Sequence, residues 1–417
     1  MKIEELSLQS ITNLTTSSLF PKLFELLVDG NELLVKHSLS IHMSSFEFDK
    51  THNLLSHILN CKFIDAIALR VDQLKCKSLV ANSSDLKANR CQTLTKNKMS
   101  SMAKALFRHF SRALALMSIT ISDLDVELKS QILSKMSPLL LRFLICWDSK
   151  VIRNAVDILK WLTKNGNPTI SFVIVESFGQ ILFQLTDKRE ETIISSLLQL
   201  FEALISCCPQ LSVHKSFASS LVICLEKILL QNDPKLDTEV TDFIENISKL
   251  IVVNNDTVRH LSHRLLCLSS FILQTKGSVS QLLAVSAIET LICKYSFKSF
   301  IDLCKVFDIK QVISVLIISV NFHFQQTGLT IVGHILNIMR ESYDSMPEEV
   351  ESVKHSLFNR SSHIYNCLNE LSFNTTLSVS SAANFLLNRI EESFGSGEDQ
   401  TLVPQINGNG FVFAVNF

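Results

Sequence analysis

Apolar positions recur along this chain at the three-to-four-residue spacing of amphipathic helices, and the segments that carry them are cut at a nearly constant interval. Polar or helix-stopping clusters fall at Asn165-Gly166-Asn167-Pro168, Thr186-Asp187, Cys208-Pro209, Asp233-Pro234, Asn254-Asn255-Asp256 and Lys276-Gly277. Each lies roughly 21 to 25 residues from the last, so two segments make a unit of about 43, the period of stacked helical hairpins that share one continuous core. Architecture is what the interval speaks to.

Residues 1–74 read as an N-terminal group of three or four helices, with Leu23, Leu26 and Leu27 following Pro21 at helical spacing. From Leu74 to about Met99 the pattern dissolves into Ser, Asn, Lys and Cys, so residues 75–100 read as a basic loop or linker. Helices resume in 101–394. The segment 122–147 has a dense apolar face, and Pro138 is expected to break or kink it. Asp148 reads as the N-cap of a helix through Thr163, and Pro168 and Pro234 as first-turn prolines. Further helices are expected at 187–207, 209–230, 234–253, 255–275, 279–295, 297–320, 327–342, 348–371 and 378–394. With connections this short, successive helices are antiparallel neighbours. Residues 395–417 read as a flexible acidic tail that ends in a strand-like apolar tip, Phe411 to Phe417, which is either disordered or a docking peptide.

The stretch Asn255-Asp256-Thr257-Val258-Arg259-His260-Leu261-Ser262-His263-Arg264-Leu265-Leu266 resembles one helix of a HEAT repeat, and Asp148-Ser149-Lys150-Val151-Ile152-Arg153-Asn154-Ala155 is similar to a looser copy. The resemblance implies an all-α, HEAT/armadillo-like α-solenoid of antiparallel helix pairs. It also implies that Asp256 caps its helix, that Arg259 ties adjacent repeats through the capping acid, and that Asp148 and Arg153 do the same in the looser copy. The two copies stand five helices apart. Strict pairing would need an even step, so either one match is accidental or a three-helix, armadillo-like unit interrupts the array.

Composition agrees with stacked helices. Ten glycines and seven prolines in 417 residues leave little turn chemistry for a hairpin-rich β protein. With 47% hydrophobic and 19% charged residues, many helices must bury more than one face. The start, Met1-Lys2-Ile3-Glu4-Glu5, is acidic where a signal peptide is basic, and the apolar run Val312–Val320 is half a bilayer span. The eleven cysteines are scattered. Together these features predict a cytoplasmic or nuclear protein that does not enter a membrane.

Candidate chemistry is sparse. His260, His263 and Cys267 share one helical face and are zinc-ligand types, but no fourth ligand lies near, so they read as structural. Cys207-Cys208 and the widely spaced Cys61, Cys76 and Cys91 lack close Cys-x-x-Cys pairing. No Gly-flanked nucleophile or phosphate-cradling glycine loop is present, so neither an enzyme nor a cofactor is expected. One electrostatic feature is sharp. Lys75, Lys77, Lys87, Arg90, Lys96, Lys98, Lys104, Arg108 and Arg112 face Asp85 alone, in a chain of net charge −1. Lys104, Arg108 and Arg112 repeat every four residues as a helical stripe.

The expectation is a non-catalytic scaffold, a subunit of a larger complex. It would bind partner proteins, including acidic segments, through Lys96, Lys98, Lys104, Arg108 and Arg112. The alternative is a chromosome-associated factor contacting DNA or RNA through 75–112, in a repair or meiotic-recombination assembly.

Overall fold

The structure, a computed structural model, describes residues 126–394 apart from 147, 167, 188–189, 252–255 and 375, together with helical stretches within 22–71 and 105–115 and the strands 402–407 and 410–415. The expected boundaries at 74/75 and 100/101 fall outside the described residues. The chain forms two compact units, Met1–Leu211 and Ser212–Phe417.

In the first unit α1 (Val126–Leu144), α2 (Ser149–Asn165), α3 (Pro168–Leu185) and α4 (Glu191–Cys207) follow one another through short turns. Helix α2 packs along α4, while α1 packs against α2 and α3. Contact between next-but-one helices is the mark of a two-helix repeat. Pro138 lies inside α1 and does not end it, so of the expected break or kink the break does not occur. Leu133, Met136, Leu139, Leu140, Phe143 and Leu144 are all buried along that helix. At roughly 1.5–3 kcal/mol per buried side chain their packing outweighs a proline penalty of about 3 kcal/mol. Helix α3 is the one described helix long and apolar enough to cross a bilayer, a feature the sequence reading passed over. Here it packs against α1, α2 and α4, with Ile174, Phe178 and Leu182 buried.

A short 3-10 turn, Pro209–Val213, follows, so the next helix starts at Lys215 and not at Pro209. The second unit holds α5 (Lys215–Leu229), α6 (Pro234–Leu250), α7 (Asp256–Thr275), α8 (Ser278–Ile292), α9 (Phe297–Val306), α10 (Ile309–Ile318), α11 (Phe322–Ser342), α12 (Pro347–Phe358), α13 (His363–Ser372) and α14 (Leu377–Phe394). Two of the expected long helices are each divided. The 297–320 segment breaks where the Asp308 side chain accepts the Gln311 backbone N–H at 3.1 Å and starts α10. The 348–371 segment breaks at Asn359–Ser362, where the Ser362 hydroxyl accepts the Tyr365 N–H at 3.2 Å. These breaks change the repeat. Helix α5 packs on α7 and α6 on α8, two helices apart; α8 packs on α11, α11 on α14 and α10 on α13, three apart. The unit therefore passes from HEAT-like pairs to armadillo-like triplets, and the fold is an all-α helical-repeat stack of that kind.

Past α14 the chain adds an antiparallel hairpin, β1 (Leu402–Asn407) with β2 (Gly410–Val415): the strand-like tip expected from Phe411 overlaps β2, while β1 falls in what the sequence reads as flexible tail.

Candidate partner-binding surface

Helices α6, α8, α11 and α14 form one layer of the Ser212–Phe417 unit, and polar contacts fix their direction. Near the helix starts, the Thr238 and Ser280 hydroxyls lie 3.4 Å apart. Further along, Ser286 donates to the Glu245 carboxylate at 3.0 Å. At the helix ends, the Lys294 ammonium donates to the carbonyls of Ser248, Lys249 and Ile251 at 2.7–2.8 Å, satisfying the open C-terminus of α6. Thr327 of α11 donates to Glu289 of α8 at 3.1 Å, and His334, about two turns further on, lies against the Tyr295 backbone. Arg389 of α14 donates to Asn337 of α11 at 3.0 Å, with Leu386 facing Gly333. All four helices therefore run parallel.

Parallel helices place the turns that lead into them along one edge: 230–233, 276–277, 319–321 and 373–376. That edge carries exposed apolar side chains. Phe373 is 81% exposed, Leu377 79% and Leu230 70%, and Val279, Ile318, Val320 and Phe322 are exposed as well. The stretches Gly277–Leu282, Ile318–His323 and Phe373–Ser378 contain no Asp, Glu, Lys or Arg. Sequence reading missed this surface, because each residue looks like an ordinary helix-end position until stacking aligns them.

The sequence-predicted residues divide differently. Lys96, Lys98 and Lys104 lie outside the described residues. Arg108 and Arg112 are both exposed. Arg108 Nε lies 2.9 Å, and Nη2 2.6 Å, from Asp148 Oδ2. The same carboxylate accepts the backbone N–H groups of Lys150 and Val151, capping α2. Burial alone would raise the Asp148 pKa, but the Arg108 hydrogen bond and those N–H groups hold it below the usual range. The structure thus joins a residue expected to bind partners with one expected to stack repeats. Arg153 is exposed on α2. Asp256 opens α7, and its side chain lies outside the described residues. Arg259 pairs with Asp302 of α9, Nη1 to Oδ2 at 3.2 Å and 43 residues on.

Cationic clamps recur one repeat apart. The buried Lys276 ammonium donates to the Leu229 carbonyl at 2.7 Å and to Asn232 at 2.8 Å, and lies 3.2 Å from Asp237. Arg264 pairs with Glu226. Of the possible zinc ligands, His263 instead stacks its ring on Tyr295, centroids 5.8 Å apart. Burial pushes the Cys267 thiol up, away from the thiolate a metal needs. Among the described residues no three His, Cys, Asp or Glu side chains converge as a metal would require. Beside Glu289, burial pushes the Cys293 thiol up to about 12.

No family model matches the chain, and no curated protein matches it. Among solved structures, an engineered protein is 14% identical, covers 93% of each chain and has a TM-score of 0.43. A designed armadillo repeat protein in complex with the peptide (KR)4 is 15% identical, with 66% of this chain and 100% of that one covered and a TM-score of 0.42. The HEAT-like repeats protein from the archaeon Thermococcus onnurineus NA1 is 14% identical, with 72% and 100% covered and a TM-score of 0.40.

Proposed function

We propose that this chain is a non-catalytic helical-repeat scaffold that holds partner proteins along the edge where α6, α8, α11 and α14 begin. One observation carries the reading: exposed apolar side chains occur at the starts of four successive repeats, three of them in stretches without charge. Interface centres are depleted of charge and enriched in aromatic residues, and a row of this kind is more than scattered surface leucines. The buried residues Cys146, Cys208, Cys224 and Cys367 form no disulfide among the described residues, in keeping with a cytoplasmic or nuclear location.

The test is affinity capture with the intact chain against Val320→Asp and Phe373→Asp. Both sites are exposed turns, so helical content and thermal midpoint should hold while the captured proteins fall away. Retention of the same partners by both folded variants would end the proposal. Acidic segments remain the proposed ligands of the basic stretch 75–112. A nucleic-acid ligand there would lose affinity steeply with rising salt, whereas an edge-bound protein partner would not.

A further inference from the structure

The hairpin that follows α14 has two outer edges, and they are not equivalent. Its register places Val403 opposite Ala414, Pro404 opposite Phe413, Gln405 opposite Val412 and Asn407 opposite Gly410. In an antiparallel ladder, opposed residues alternate between pairs that exchange hydrogen bonds and pairs whose backbone groups point away from each other. Proline has no N–H, so the Pro404 pair is of the second kind. The two-residue connection after Asn407 agrees, because it needs Asn407 and Gly410 as an exchanging pair. It follows that Phe411, Phe413 and Val415 point their N–H and C=O groups outward from β2, and Leu402, Pro404 and Ile406 point theirs outward from β1.

The β1 edge is interrupted in its middle, where Pro404 offers no donor. The β2 edge is not: Gly410-Phe411-Val412-Phe413-Ala414-Val415 has no proline and no charge. β2 also touches α14, but no further strand pairs with its outer edge among the described residues, and an uninterrupted, uncharged edge is a template for another strand. We infer that β2 is a self-association edge, on which two copies of this chain pair their β2 strands antiparallel about a two-fold axis at Phe413 to make a four-stranded sheet.

The occupant follows from the strand itself. A two-fold at Phe413 sets Phe411 opposite Val415 of the second copy and Phe413 opposite its own equivalent. Every outward donor then meets an outward acceptor. No like charges face each other across the axis, so nothing in the strand opposes its own copy. Closure at a dimer also follows, because Pro404 leaves β1 unable to extend the sheet. This association is separate from the apolar edge of the helical stack.

Sedimentation velocity of the full chain over a concentration series tests the inference. The wild type is expected to reach twice the monomer mass. Phe413→Pro removes an outward N–H together with the aromatic ring and spares the hydrogen bonds of the β1–β2 ladder, so it should give the monomer with unchanged helical circular dichroism. Pro404→Val restores the missing donor and should carry the assembly past the dimer. A wild type that stays monomeric at its highest soluble concentration overturns the inference, as does a dimer that survives Phe413→Pro. A Pro404→Val chain that still stops at the dimer overturns the closure step.

Discussion

Arg108 and Asp148 stand 40 residues apart in sequence and meet through two guanidinium nitrogens on one carboxylate that also caps α2. One acid thus serves a helix end and a contact between repeats. Asp148→Ala removes both, and the cap alone is worth about 0.5–2 kcal/mol. Arg108→Ala removes only the pair from an exposed cation, so it should lower stability less than Asp148→Ala does. Urea unfolding of the two variants checks the order. Equal losses would mean that the ion pair, not the cap, holds this end of α2.

Local chemistry made much of the fold legible. Asp148, Pro168 and Pro234 are read correctly because capping and first-turn proline act within four residues, and Asp233 does accept the Lys235 N–H at 3.0 Å. The breaks at Asp308 and Asn359–Ser362 were passed over for a different reason. Apolar periodicity continues across both, and a cap inside a periodic run is outvoted when periodicity is the primary signal. Those two breaks are the ones that turn pairs into triplets. The surface was less legible than the fold. Nothing near Arg259 in sequence names Asp302, and nothing near Phe373 names Val320, because the stack alone brings them to one tie and one edge.

Glu289 is a half-buried carboxylate whose partner is the Thr327 hydroxyl one repeat later. Burial raises its pKa, and the Thr327 hydrogen bond offsets only part of that. The folded state therefore holds this proton more tightly than the unfolded chain does. Its contribution is fully present below the unfolded value of about 4.3 and is lost as pH rises through the raised folded value. Glu289→Gln keeps an acceptor for Thr327 without a charge to bury. The variant should be more stable than wild type at neutral pH, with the gap closing in mild acid. Urea midpoints at neutral pH and near the unfolded value read the difference directly.

His263 carries the opposite sign. Burial lowers its pKa first, the nearby His260 and Arg259 lower it further, and Asp302 opposes them. Between its usual value of about 6.5 and the lowered one, the unfolded chain binds more protons than the folded one, so stability falls as pH falls. His263→Phe retains a ring to stack on Tyr295 and removes the titration. Its loss of stability on acidification should be shallower than that of wild type. Some slope will remain, since burial also lowers His334 and His109. An unchanged slope would place the proton uptake elsewhere.

Two helical glycines give a contrast that tests the triplet packing itself. A Cβ on Gly179, inside α3, would meet nothing within 4 Å, so Gly179→Ala should stabilise the chain by about 0.5–1 kcal/mol through helix propensity alone. A Cβ on Gly328 of α11 would lie 3.0 Å from Ile317 Cγ1, 3.2 Å from Leu316 Cβ and 3.3 Å from the Ile317 backbone nitrogen of α10. The backbone nitrogen cannot rotate away, so Gly328→Ala forces α10 and α11 apart at this contact. Overpacking of this kind costs about 1–3 kcal/mol, which exceeds the propensity gain. Thermal unfolding should therefore move in opposite directions for the two variants. A Gly328→Ala chain as stable as wild type would mean that α10 and α11 do not approach this closely, and the three-helix unit would lose its tightest contact.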